Sequence, residues 1–176
     1  MKTFILATSL LFIMLQSFSQ DAPAPEYMAN QDFPDSVEQV ILTKLDGEKI
    51  QFSEMLQAYK GRKIVIDYWA SWCRDCVGGL PKVKDLQEMT KGKNVVFVFL
   101  SLDREEEKWK ASIDRFKING EHFWIEAGWK NPFSNYVVLD WIPRYILINE
   151  EGKVSLAKAT KADDPALHNA ILERNL

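Results

Sequence analysis

Cys73 and Cys76 are the only two cysteines among 176 residues, and just two residues separate them. A disulfide across so short a loop removes little entropy from the unfolded chain, roughly 2 kcal/mol against about 3 kcal/mol for a 15-residue loop. A pair meant for stapling would normally span more of the chain, so this one is better placed to open and close. Thiol–disulfide exchange needs a thiolate nucleophile and a second thiol close enough to resolve the mixed disulfide. If Cys73 begins a helix, unpaired N–H groups and the helix dipole stabilise its thiolate and make it the nucleophile. Cys76, one turn further in, is then the resolving thiol. A purely structural disulfide is the competing reading. A zinc site needs a second ligand pair; the two histidines, His122 and His168, are far from the motif, and no metal is expected.

Three charged residues flank this chemistry. Asp67 stands at the end of the apolar run Ile64-Val65-Ile66 and is expected to be buried beside the cysteines. Desolvation raises the pKa of a buried carboxylic acid, which would let Asp67 exchange a proton with Cys76. The alternative is a structural carboxylate satisfied by backbone donors. Between the cysteines, Arg74 favours the thiolate and Asp75 opposes it, so the sequence does not sign their net effect on the redox potential.

The elements that must hold these residues can be read outward from the motif. Lys63 to Tyr68 is a continuous apolar run broken only by Asp67, which suits a central strand buried on both faces. Val77, Leu80, Val83, Leu86 and Met89 recur at helical spacing, with Pro81 inside the helix. Val95 to Leu100 is a second buried strand, so the two strands and the helix form a parallel βαβ unit. Upstream, Asp46-Gly47 between two apolar runs predicts a hairpin, followed by a short helix from Glu54 to Tyr59 capped by Ser53. Downstream, Asp103 to Lys117 reads as a helix with an acidic start, and Pro132 to Tyr136 as a short one. A hairpin joins Tyr145–Ile148 to Val154–Ala157, and Pro165 opens a closing helix. The aromatic-rich stretch 122–129 receives no assignment. The expected fold is α/β: a three-layer α/β/α sandwich with a mixed central sheet of about five strands and an N-terminal β-hairpin.

Residues 1–20 have the features of a signal peptide: Lys2, an apolar run from Phe4 to Leu15, and Ser17-Phe18-Ser19 before the expected cut. That run is short for a transmembrane span of about 20 residues, although an uncleaved N-terminal membrane anchor is the alternative. Residues 21–36, with Pro23, Pro25 and Pro34, read as a linker or tail, leaving 37–176 as one domain. Export, for instance to a periplasm, implies an oxidising compartment in which a cysteine pair can be a disulfide. A net charge of −3 argues against nucleic acid as a partner.

The segment Asp67-Tyr68-Trp69-Ala70-Ser71-Trp72-Cys73-Arg74-Asp75-Cys76 resembles the active-site segment of thioredoxins. Pro81 matches that family's kink proline, and Ile142-Pro143 looks like its cis-proline loop. The two hairpins are more similar to the exported TlpA/ResA-type branch. The resemblance runs from about Val40 to the C-terminus and departs from the best-known pattern where Arg74-Asp75 replaces Gly-Pro. It implies a thiol–disulfide oxidoreductase with no cofactor beyond a redox-active Cys73–Cys76 disulfide, and the same proton role for Asp67. Pro143 would be cis, leaving the backbone of Ile142 to pair with an extended substrate segment. Trp69 is expected in the core, and Trp72 at the substrate surface. The implied direction is reduction of protein disulfides, with apocytochrome c or other periplasmic thiols as substrates. A membrane-borne or periplasmic donor would supply the electrons, and the chain would act as a monomer. An oxidant or isomerase of the same fold, and a redox-inactive binding module, are the alternatives.

Overall fold

The computed structural model describes residues 32–172. The expected signal peptide and most of the expected tail lie outside the described residues. The chain runs α1 (Asp35–Glu38), β1 (Ile41–Lys44), β2 (Lys49–Gln51), α2 (Phe52–Ala58), β3 (Lys63–Trp69), α3 (Arg74–Met89) and β4 (Val95–Ser101). It continues through α4 (Glu106–Phe116), β5 (Glu121–Trp124), α5 (Pro132–Tyr136), β6 (Arg144–Ile148), β7 (Val154–Ala159) and α6 (Pro165–Leu172). The strands form one mixed sheet in the order β2-β1-β5-β4-β3-β6-β7.

All seven residues of β3 are buried, as its unbroken apolar run requires of a central strand. β4 pairs parallel to it and β6 antiparallel. Right-handed crossovers from β3 to β4 and from β4 to β5 place α3 and α4 on one face, and the Lys63 ammonium donating to the carbonyl oxygens of Ala170 and Ile171 brings α6 to that face too. The other face is covered by α1, α2 and α5, through Phe52, Phe133 and Tyr68. This is the expected three-layer sandwich.

The sheet has seven strands, not about five. The N-terminal hairpin is continuous with it, and the unassigned aromatic stretch begins with β5, which bridges β1 and β4. Three of the four β5 residues are buried, so the strand lacks the alternation that marks a half-exposed one. Gly120 admits it: at φ 146°, a Cβ there would lie 2.7 Å from the Phe99 ring and 2.9 Å from the Phe97 carbonyl oxygen. The start of α2 also differs. Gln51, not Ser53, caps it, accepting from the Glu54 amide while its own N–H donates to the Glu54 carboxylate at 2.6 Å.

Phe33, within the stretch read as a tail, is part of the core. Its ring meets Phe52, Phe133 and Tyr136 edge-on at centroid distances of 5.2, 5.6 and 5.6 Å. Phe33→Ala should therefore cost about 3 kcal/mol of unfolding free energy, measured by urea titration. An unchanged midpoint would mean that this segment does not belong to the cooperative domain.

Candidate active site

The site forms where β3 ends and α3 begins. Cys73 is the N-cap of α3: its backbone is extended, its sulfur accepts from the Cys76 N–H at 3.1 Å, and its carbonyl accepts from Val77. Negative charge developing on this sulfur meets an aligned donor and the positive end of a 16-residue helix. Cys73 and Cys76 are joined by a disulfide with an Sγ–Sγ distance of 2.06 Å, and both are buried.

The turn before Cys73 is fixed by Asp103, itself only 1% exposed. The Asp103 carboxylate accepts from the Ser71 N–H at 3.0 Å, the Ser71 hydroxyl at 2.6 Å and the Ser101 hydroxyl at 2.8 Å. Its carbonyl accepts from the Trp124 indole at 2.7 Å. Asp103 carried no signal in the sequence beyond its place in an acidic helix start; its partners come from the turn after β3 and from the last residues of β4 and β5.

The Ile142–Pro143 bond is cis, and the Ile142 carbonyl oxygen stands 3.7 Å from Cys73 Sγ. Sheet register brings these residues together across 69 positions of chain: Tyr68 pairs with Arg144, so β3 ends where β6 begins. The loop before Pro143 is anchored by Arg144, which is buried, donates to the Val137 carbonyl at 3.3 Å and forms an ion pair with Asp140. Lys158 closes on the same carboxylate at 3.2 Å.

Asp67 is buried in the middle sheet layer, 4% exposed. Among the described residues its Oδ1 has no hydrogen-bond partner. Burial pushes its carboxyl well above the usual carboxylate range, and a hydrogen-bonding interaction with the Tyr145 hydroxyl offsets part of that rise. Tyr145 is directly opposite Asp67 in the β3–β6 ladder, so the two side chains share a sheet face. Tyr145 also reaches α3, with its hydroxyl 3.9 Å from where a Cβ on Gly79 would lie. Sequence reasoning missed this partner, because nothing but register distinguishes Tyr145 from the other residues of its strand.

The remaining expected site residues are arranged around the disulfide. Trp72 is 57% exposed beside Cys73, whereas Trp69 is 1% exposed in the core. Arg74 and Asp75 are both exposed and line a cleft of about 440 Å³ shared with Pro143 and Tyr145. His122 and His168 are not in the site. The His122 ring bonds the Ile118 carbonyl and stacks on Phe99, and His168 bonds the Ala162 carbonyl.

This geometry can be set beside known proteins. Over 115 residues the chain is 30% identical to the thioredoxin-like protein YneN of Bacillus subtilis, an alignment covering 64% of this chain and 63% of that one. It is 25% identical to the thiol-disulfide oxidoreductase ResA of Bacillus thuringiensis, with 65% and 62% covered. The chain thus spans less than two thirds of the length of both. A solution structure from Bacteroides vulgatus, described as that of a thiol-disulfide oxidoreductase, superimposes with a TM-score of 0.65 at 30% identity, covering 82% of this chain and 93% of that one. A thiol:disulfide interchange protein from a Bacteroides species gives 0.62 at 25% identity, with 75% and 82% covered. The thioredoxin-like family model matches residues 61–154, from the start of β3 through the cysteine pair and the cis-proline to β7. With more than half of its length in that match and both halves of the site inside it, the chain belongs to the thioredoxin-like family.

Proposed function

We propose that this protein is an exported thiol–disulfide oxidoreductase that reduces protein disulfides. The observation that carries the reading is the position of Cys73 Sγ, facing both the N-terminus of α3 and the Ile142 carbonyl next to a cis-proline. In the reduced protein the Cys73 thiolate attacks a substrate disulfide. One Cys73–substrate S–S bond forms, the substrate S–S bond breaks, and the departing sulfur takes a proton. Asp67 then accepts the Cys76 proton, and the Cys76 thiolate attacks Cys73 Sγ. The second substrate thiol leaves, and the Cys73–Cys76 disulfide closes. Two electrons have moved from the dithiol to the substrate, and an external dithiol must return them. A membrane-borne or periplasmic donor, an exported location and action as a monomer belong to the same reading. The basic residue and apolar run at the N-terminus support export.

The direct test is trapping. Cys76→Ser should accumulate a mixed disulfide with a protein substrate such as insulin, cleared by dithiothreitol, and Cys73→Ser should not. Adducts formed through Cys76 instead, or none with either variant, would contradict these roles.

Asp67 has a separate signature. Its carboxyl is raised in the folded protein relative to about 3.9 in the unfolded chain, so the native state holds this proton to higher pH. Its contribution to stability is fully present below about pH 3.9 and is lost as pH rises through the raised value. Asp67→Asn should therefore gain stability over the wild type as pH climbs from about 3.9 towards the raised value, by up to about 1.4 kcal/mol per pH unit between the two, and the gain should level off above it. It should also slow resolution of the mixed disulfide by about 100-fold. Parallel urea titrations at several pH values, with stopped-flow release rates, check both; a stability difference that does not change with pH would place Asp67 outside this role.

A further inference from the structure

The protein has six tryptophans. Trp69, Trp109 and Trp124 are in the core, whereas Trp72, Trp129 and Trp141 are 57%, 37% and 45% exposed. These three come from separate segments: the turn before α3, the loop after β5 and the loop before β6. They converge on one recess of about 260 Å³ whose floor includes Cys73 and Ile142 and whose rim carries Arg74 and Asp75. Exposed aromatic surface gathered in one place is an interaction surface rather than scatter.

Each of the three loops is fixed by a buried polar group next to its tryptophan. Ser71, before Trp72, is held by Asp103. Gly128, before Trp129, donates its N–H to the Ile125 carbonyl at 2.8 Å and accepts from the Asn131 side-chain amide at 2.6 Å. Asn131 is 3% exposed and also bonds both the hydroxyl and the amide of Ser134. Asp140, before Trp141, is held by Arg144 and Lys158. The aromatic walls are thereby ordered before any ligand arrives, which removes that cost from binding.

We propose that this recess is a specificity subsite that takes one large apolar side chain, aromatic or long aliphatic, adjacent to the reacting cysteine of an extended protein substrate. The proposal rests on the functional reading above and adds Trp129 and Trp141 as specificity-determining residues. The recess is smaller than the roughly 300–1,000 Å³ of small-molecule and cofactor sites, so one side chain suits it better than a free ligand. A lysine or arginine can stack on the indoles, but the rim carries one charge of each sign, Arg74 and Asp75, and so offers a cation no net attraction. Trp141 also lines the neighbouring cleft, which carries Lys82, Lys161 and Asp163. It forms the ridge between an apolar and a charged surface, so only one neighbour of the cysteine meets the indoles. Continuity with Cys73 Sγ ties the occupant to the reacting disulfide.

The test uses the full reduced protein and three short peptides, each disulfide-linked through its single cysteine to a chromogenic thiol. They differ only in having Phe, Ala or Lys beside that cysteine. The expected result is a kcat/KM for the Phe peptide at least about tenfold above those for Ala and Lys. In Trp129→Ala/Trp141→Ala the Phe-to-Ala ratio should fall to about two or less. A ratio is independent of how much of the variant is folded. Equal rates for all three peptides, a preference for Lys, or a Phe-to-Ala ratio unaltered in the double variant would overturn the subsite while leaving the oxidoreductase reading intact. Failure to reduce any of the three would overturn both.

Discussion

The site depends on one positional constraint: Cys73 Sγ must face the first amides of its own helix and, at the same time, the carbonyl of a residue 69 positions away. The first requirement is local and follows from an extended residue preceding α3. The second is met only because β3 and β6 are antiparallel neighbours in a fixed register, with Tyr68 opposite Arg144. A one-residue slip would turn Asp67 and Tyr145 to the opposite face and displace Ile142 from the sulfur. Burial on both faces of β3 makes such a slip costly, because every residue of the strand is committed to the core.

That same burial creates the chemistry. An ionised carboxylate at the centre of a covered sheet is poorly solvated, so Asp67 holds its proton more tightly than an exposed acid does. The protein bears this cost in the strand that leads into the cysteine pair. Around it, three buried polar groups, Asp103, Arg144 and Asn131, each fix a loop that faces the disulfide. The core therefore sets the position of the sulfur, and the buried polar groups set the surface around it.

Much of this was legible in the sequence where the signal is local. The apolar run ending in Asp67, the helix with Pro81 inside it, both hairpins and the proline before β6 all read correctly, because periodicity and turn chemistry reside within a few residues of chain. What was not legible depends on contacts distant in sequence. β5 is short and mostly buried, so it carries no alternation, and its partners are 20 to 80 residues away. Phe33 lies among prolines and polar residues and becomes core only through Phe52, Phe133 and Tyr136. Tyr145 faces Asp67 through register alone, and Trp129 and Trp141 meet Trp72 only when three loops are brought together. The N-cap of α2 is a smaller case: Gln51 and Ser53 both have the capability, and the backbone of the preceding strand decides between them.

The central claim is that the Cys73–Cys76 pair donates electrons to protein disulfides, and the reduction potential of that pair tests it most directly. Equilibration against defined dithiothreitol or glutathione buffers, read by alkylation of the free thiols, gives the value. The account predicts a reducing couple at about −270 mV, where thioredoxin itself lies. A value near about −120 mV, that of a strong disulfide donor, would contradict it and reverse the direction of the reaction.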